Sequence, residues 1–312
     1  MRSELAASAP ATIANLGPGF DIVGAALEEP RDRVEVKLAA EPSIAVRVEG
    51  TYASEVPSGE DNVCYVVAQE VLKRAEHRGG LRITLFKEVP PASGLGSSGA
   101  SSAATAFAVN KALGEPLTSM ETLLSALEGE RFAAGAPHAD NAAPSLLGGV
   151  VFIYSYNPLK LLRVDPPKEI HVVIATPLIR WAEKKTYLAR QVLPKKISLK
   201  KMVKQLGGLV PLVAGIARSD PKLMGEGVNM DFVVEPARAK LIPGFKEVKK
   251  AALKAGAYGC SISGAGPSIF ALASPQVSNS VAKAMARALE EFSISYKLLI
   301  TRFSREGARV EG

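Results

Sequence analysis

Apolar and polar positions along this chain repeat with two different periods, and the period changes from segment to segment. Val34-Glu-Val-Lys-Leu38 and Ile44-Ala-Val-Arg-Val48 alternate with period two, as strands with one buried face do. Leu81-Arg-Ile-Thr-Leu-Phe86 is an apolar run of strand length, and Gly148-Gly-Val-Val-Phe-Ile-Tyr154 is another. Between them the pattern predicts helices. One covers 63–74, opened by Asp61-Asn62 and closed by Gly79-Gly80; a second covers 97–113 in Ala-rich sequence; a third covers 118–127, where Thr118 and Glu121 have capping-box spacing. The stretch 158–167 is bounded by prolines and is expected to be a linker. Beyond it, strands are expected at 170–175, 258–263, 268–273 and 296–301, with helices at 183–191, 199–217, 246–255 and 277–292. The closing strand–strand–helix–strand order suits a small α+β sandwich.

A chain of 312 residues is long enough for two cores, and two domains are expected, 1–160 and 161–312. A 47% hydrophobic content with 22% charged residues is ordinary globular usage. No apolar run reaches the roughly 18 residues of a spanning helix. The polar Ser3-Glu4 stands where a secretory signal needs its apolar region. Cys64 and Cys260 have neither metal-ligand spacing nor the density of a disulfide scaffold. These features together predict a cytoplasmic protein with no membrane partner.

Charge changes the picture in one respect. Residues 1–150 carry twelve Lys/Arg against nineteen Asp/Glu, whereas 151–312 carry twenty-six against twelve. Such asymmetry invites a nucleic-acid reading. The lysines, however, fall in helical patterns such as Lys200-Lys201-Lys204 and Lys246-Lys249-Lys250-Lys254, which solvated helix faces explain. No nucleic-acid partner is expected, and a basic second half steers anionic ligands toward a cleft.

The chemistry begins at Pro91-Ala-Ser-Gly-Leu-Gly-Ser-Ser-Gly-Ala-Ser101. Small residues here follow a strand and precede a helix, so backbone N–H groups and a helix N-terminus converge, which is an arrangement that binds phosphate. The alternative is a loop that lets helix and sheet pack closely. No lysine follows Gly96 or Gly99 in the manner of G-x-x-x-x-G-K-[ST], so this is not a P-loop. Two further glycine-rich segments accompany it: Pro10-Ala-Thr-Ile-Ala-Asn-Leu-Gly-Pro-Gly-Phe-Asp-Ile-Val-Gly-Ala-Ala-Leu27 and Gly256-Ala-Tyr-Gly-Cys-Ser-Ile-Ser-Gly-Ala-Gly-Pro-Ser-Ile-Phe-Ala-Leu272.

The order and wording of these three segments resemble the GHMP kinase superfamily. Asn15-Leu-Gly-Pro-Gly-Phe-Asp21 and Pro137-His-Ala-Asp-Asn-Ala-Ala-Pro-Ser145 resemble its homoserine kinase branch. The resemblance spans nearly the whole chain. It implies a two-domain α+β GHMP kinase fold. The first domain would be ribosomal protein S5 domain 2-like and the second a ferredoxin-like α/β sandwich. It also implies ATP and Mg²⁺ as cofactors, L-homoserine as phosphoryl acceptor and a homodimer. Two rivals are a kinase for another small alcohol and a non-catalytic nucleotide- or RNA-binding relative.

Carried over residue by residue, the resemblance assigns the ATP phosphates to Pro91, Ala92, Ser93, Gly94, Leu95, Gly96, Ser97, Ser98, Gly99, Ala100 and Ser101. Ser98 offers a hydroxyl to Mg²⁺ or to a phosphate oxygen. Glu130 matches the magnesium carboxylate, with Glu128 as its near rival. Asn62 and Val63 stand at the adenine, and Lys87 near the nucleoside. Homoserine is a zwitterion, so its pocket needs both signs of charge: Asp21 and Asn15 for the ammonium, Arg190 and Arg238 for the carboxylate, arginine being suited to a bidentate carboxylate contact. His138, Asp140 and Asn141 are expected in a loop before Gly148-Gly149, near the acceptor. Asn141 would hold the attacking hydroxyl, and Thr186 would line the same wall. Asp140 is the candidate base, although phosphoryl transfer without a dedicated base is open as well.

Overall fold

The structure is a computed structural model that describes residues 4–179 and 185–311. Its first half contains β1 (Glu4–Ala14), β2 (Val23–Ala39), β3 (Ile44–Glu49), α1 (Val63–Arg74), β4 (Gly80–Phe86), α2 (Ser97–Ala112), α3 (Ser119–Ala134), α4 (Ala139–Leu147), β5 (Val150–Tyr156) and β6 (Leu159–Val164). Then follow β7 (His171–Pro177), α5 (Lys185–Gln191), α6 (Leu199–Ala217), α7 (Pro221–Val228), α8 (Val234–Arg238), α9 (Phe245–Lys254), β8 (Gly259–Ile262), β9 (Ile269–Ala273), α10 (Ser278–Glu290), β10 (Tyr296–Arg302) and β11 (Arg309–Val310).

The first sheet runs β11-β1-β2-β4-β3, and β5 and β6 extend it from the near end of β2. β2 is 17 residues long and serves two partners: residues 33–39 pair with β4 and residues 23–25 with β5. All pairings are antiparallel except β3 with β4. Helices α1–α4 cover one face, closing a core that includes Val34, Val36, Ile83, Val67, Ala104 and Leu123. α2 is central because its sequence lets it be. Ala, Ser and Gly surround it on every side, so twelve of its sixteen residues are buried and strands, α1, α3 and α4 all approach it closely.

The second sheet has the order β10-β7-β9-β8, entirely antiparallel. The succession β7, helices, β8, β9, α10, β10 in that spatial order is the ferredoxin-like arrangement. Period two is visible in β7: Val173 and Ala175 face α9 and α10, whereas Val172 and Ile174 face the first half. The latter join Ile13, Val23, Leu212, Met224 and Phe270 in a core shared by both sheets, α6 and α7. The two halves are thereby one packed body.

Three expectations need correction, and a fourth lies partly outside the described residues. The stretch 158–167 is not a free linker, because 159–164 is β6, paired antiparallel with β5. Residues 139–147 are the helix α4, not a loop; Pro144 sits in it without breaking it, and it ends at Gly148 with φ 72°. α3 runs on past 127 to Ala134, with the expected capping box at Thr118 and Glu121. Gly129 weakens a helix by propensity but is needed there: a Cβ would stand 2.2 Å from Ser102 Oγ on α2. Lastly, the helix expected from 183 begins outside the described residues; 185–191 is helical.

Candidate active site

The three glycine-rich segments meet. Gly94 is left-handed (φ 89°), and a Cβ there would lie 2.5 Å from the Ser263 carbonyl and 2.6 Å from that of Gly266. Ser263 Oγ donates to Gly94 O at 2.6 Å, and Ser268 N donates to Ser93 O at 3.0 Å. The first segment joins through Thr12 N to Leu95 O, 3.0 Å, and Asn15 Nδ2 to Gly264 O, 3.1 Å. Gly96, again left-handed (φ 65°), is the residue from which α2 starts. The α2 N-terminus thus opens at the point where all three segments converge.

Of the loop serines, all but one spend their hydroxyls on partners among the described residues. Ser93 Oγ donates to Pro90 O, Ser97 Oγ to Val89 O and Ser101 Oγ to Asp32 Oδ2. Ser98, half-buried one turn before Ser102, has no hydrogen-bond partner among the described residues. Across from α2, Glu130 on α3 is 2% exposed, and its Oε1 is buried without a hydrogen-bond partner. Glu128 instead pairs with Arg131 at 3.2 Å on the outer face. A buried, unsatisfied carboxylate oxygen is costly, and together with a free hydroxyl it fits a metal ion held largely by substrate phosphate. Among the described residues no cluster of three or more His, Cys, Asp or Glu forms a metal cage.

Two side chains expected at the nucleotide have protein partners of their own. Lys87 is 2% exposed beneath the loop, where Nζ ion-pairs with Asp32 and donates to Ser97 O and Ser101 Oγ, both at 3.0 Å, which uses all three of its protons. Asp32 also accepts from the Glu88 and Val89 amides at 2.9 and 2.8 Å. The pair is the buried clip that ties the loop to β2. Asn62 is likewise occupied, since its side chain caps α1 by accepting from Cys64 N at 2.9 Å and donates to Pro57 O at 2.6 Å. Val63 lies beside it, partly buried against the core of the first half.

At the other side of Gly96 lies a second polar wall. Thr12 Oγ1 donates to Asn141 Oδ1 at 3.0 Å, fixing that amide. A Cβ on Gly96 would strike both, at 2.0 and 2.9 Å. Arg190 reaches Asp21 bidentately, Nη1 to Oδ2 2.7 Å and Nη2 to Oδ1 3.1 Å, and its Nη2 also donates to His138 Nε2 at 2.9 Å. That contact makes Nε2 the acceptor, so the proton sits on Nδ1, which faces Glu130 Oε2 at 3.7 Å. Burial lowers the His138 pKa, but the Glu130 hydrogen bond and charge, with Asp140, outweigh it and leave it raised. Asp140 is 2% exposed. Desolvation first, and then the nearby Asp21, push it up to about 7, against the opposing charges of His138 and Arg190.

Arg238 is 4% exposed and donates to Ala189 O at 3.2 Å and Gly264 O at 2.7 Å, while its Nη2 has no acceptor among the described residues. Burial lowers its pKa to about 10. Arg190 and Arg238 both lie over the Phe20 ring, 5.1 Å from its centroid. Thr186 sits one helical turn before Arg190 on α5. The structure therefore gathers Asn15, Asp21, His138, Asp140, Asn141, Arg190 and Arg238 beside the phosphate-type loop. Sequence reasoning missed four members: Thr12, Phe20, Asp32 and Tyr156, whose hydroxyl donates to Asp21 O at 2.5 Å. Thr12 and Phe20 lie inside the first glycine-rich segment and could have been found there. Asp32 and Tyr156 carry no such signal.

The family model described as GHMP kinases N terminal domain matches residues 62–149, and GHMP kinases C terminal matches 212–291. A homoserine kinase of Pyrococcus abyssi is 43% identical over 95% of this chain and 96% of its own length. One of Chlorobium phaeovibrioides is 42% identical over 97% and 98%. A crystal structure of homoserine kinase from Cytophaga hutchinsonii has a TM-score of 0.93 at 38% identity, covering 100% of this chain and 98% of that one.

Proposed function

The chain belongs to the homoserine kinase family, and on that premise we propose that it transfers the γ-phosphoryl group of ATP to the side-chain hydroxyl of L-homoserine. One observation carries the substrate reading: a carboxylate and two arginines of opposite role stand together beside Asn141, at the mouth of an anion-binding loop. The backbone of 94–99 and the α2 N-terminus receive the phosphates. Glu130 and Ser98 would hold Mg²⁺, which when bound neutralises charge on the transferring phosphoryl group.

The substrate's two charges exchange with an internal pair. In the free protein Arg190 and Asp21 satisfy one another. A zwitterion places its ammonium on Asp21 and Asn15 and its carboxylate on Arg190 and the free Nη2 of Arg238, so no charge is left without a counterion. An alcohol lacking either charge breaks the internal pair and returns less. Thr12 holds Asn141 so that its amide orients the hydroxyl, and Asp140, poised near pH 7, takes the proton as the oxygen attacks phosphorus. Positioning supplies most of the rate in such transfers.

We place the enzyme in the cytoplasm, a reading supported by two buried, unpaired cysteines. We also take it to be a homodimer. The support is an exposed apolar stripe on α6 (Leu199, Val203, Leu206, Val210 and Val213) with the four-three spacing of a helix pair. Antiparallel pairing of two copies sets Lys200 and Lys204 near the partner's helix C-terminus, the favourable sign for its dipole. The function itself is tested by ADP release with L-homoserine, mevalonate and a panel of amino-alcohols. Stimulation by another alcohol but not by L-homoserine would sink the assignment.

A further inference from the structure

A cleft of about 570 Å³ lies away from the three glycine-rich segments, where the two connections between the sheets run side by side. One wall is the passage from β6 to β7, with Pro166, Pro167 and Lys168. Another is the return from β10 toward β11, with Phe303 to Glu306. Glu28, Glu29 and Arg31 of β2 complete the lining. Nothing in the phosphoryl-transfer reading uses this space.

Five cations and three carboxylates line it. Two of the cations are matched: Arg302 with Glu28 at 2.9 Å and Arg309 with Glu306 at 3.4 Å. Lys168 has no ion-pair partner among the described residues. Arg305 reaches Asp165 only at 3.7 Å, and Arg163 already holds that carboxylate at 2.8 Å. Even with the unpaired Glu29 counted, the lining keeps an excess of two positive charges.

Arg31 is the decisive residue. It is 9% exposed, yet among the described residues no carboxylate lies within 4 Å of it. Nε donates to Ser8 Oγ at 2.9 Å, and Nη2 donates to Ser8 O at 3.3 Å and Gly307 O at 2.6 Å. Those neutral partners hold the guanidinium rigidly and leave Nη1 without an acceptor among the described residues. Nη1 is not enclosed, so it opens on the cleft. Burial lowers the Arg31 pKa, Arg309 adds repulsion, and Glu29, Glu311 and Glu306 offset this only from a distance. A buried cation without a counterion is expensive, and a positioned guanidinium is the side chain best suited to an oxyanion.

We propose that this cleft binds a small multivalent anion of the phosphate class, held by Arg31, Lys168 and Arg305. The three cations come from three chain segments, which favours a tetrahedral dianion over a planar carboxylate. Such an anion would bridge both connections between the halves and restrain their relative motion. The proposal is independent of the acceptor's identity.

The test is calorimetric titration of the full chain, saturated with ADP and Mg²⁺, with inorganic phosphate and separately with glycerol 1-phosphate. Binding is expected in the parent and, measured without nucleotide, in Gly96→Val, whose change lies in the nucleotide loop. It should weaken at least tenfold in Lys168→Glu/Arg305→Glu, whose exposed positions leave folding nearly unchanged. Binding of the monoester alone identifies a phosphorylated metabolite, binding of phosphate alone identifies the free ion, and either supports the site. Equal affinity in parent and double variant, or no binding of either probe up to about 20 mM, overturns it.

Discussion

Glu130 and Asp140 are buried carboxylates on adjacent helices, and each makes a separate prediction. Glu130 Oε1 is unsatisfied in the free protein, so Glu130→Ala should unfold no lower in temperature than the parent without nucleotide. It should also lose turnover with Mg²⁺ by on the order of 100-fold or more, the scale of losing a positioned charge at a transferring phosphoryl group. Thermal unfolding and ADP release measure the two halves; near-parental turnover removes Glu130 from the site. For Asp140 the sign follows from a pKa raised from 3.8 to about 7 on folding. The folded state binds the proton more tightly, so this group's stabilisation is complete below pH 3.8 and is lost as pH rises through about 7. Asp140→Asn should therefore match the parent near pH 4 and exceed it at pH 8 by on the order of 1–3 kcal/mol. Denaturation across that range decides it, and parallel pH profiles refute the raised pKa. In the same variant, kcat tests the proton-accepting role: an unchanged rate means that transfer needs no base here.

At the scale of elements, the phosphate-type loop is defined by what glycine permits. Ser98→Ala removes one unpartnered hydroxyl and should mainly slow transfer. Gly96→Val is different, because its Cβ must enter space held by Thr12 Oγ1 and Asn141 Oδ1 from a left-handed backbone. That variant should lose ATP binding and displace Asn141 together, seen as loss of calorimetric ATP affinity; unchanged affinity would falsify the loop assignment. The α6 stripe predicts a second outcome. Leu206→Lys/Val210→Lys should shift the mass measured by light scattering from dimer to monomer while leaving the far-UV spectrum intact. A dimer that survives the change lies on another face. The corrected elements also have a common cause. The loop expected at α4 rests on Asp140 and Asn141, whose side chains favour turns, but its Ala142, Ala143 and Leu146 pack into the core beside α2. Packing overrode propensity.

For the whole molecule, the charge-exchange reading predicts that both ends of the substrate matter and that they are read from different halves. Asp21→Ala and Arg238→Ala should each weaken homoserine by roughly 30-fold to several thousandfold, the effect of removing one partner of a desolvated pair, with little change in ATP affinity. Homoserine amide should lose its disadvantage against homoserine in Arg238→Ala. If that variant and Arg190→Ala both discriminate acid from amide as the parent does, the carboxylate is held elsewhere. The sequence by itself determined much of this. Period-two runs, Ala-rich stretches and cap residues are local, so the strands at 81–86 and 268–273 and the helix at 199–217 were legible. The three glycine-rich segments were legible because close approach of backbone to backbone admits almost no other residue. What only the tertiary structure decided are the relations between distant residues. Lys87 beneath the loop on Asp32, Asn62 spent on a helix cap, Arg190 on Asp21, and Arg31 without a counterion all depend on partners at unrelated positions in the chain. A charged side chain has the same local signature whether it faces solvent, a ligand or a buried partner. Its role is set by the desolvation and the partners that packing imposes, which no local pattern encodes.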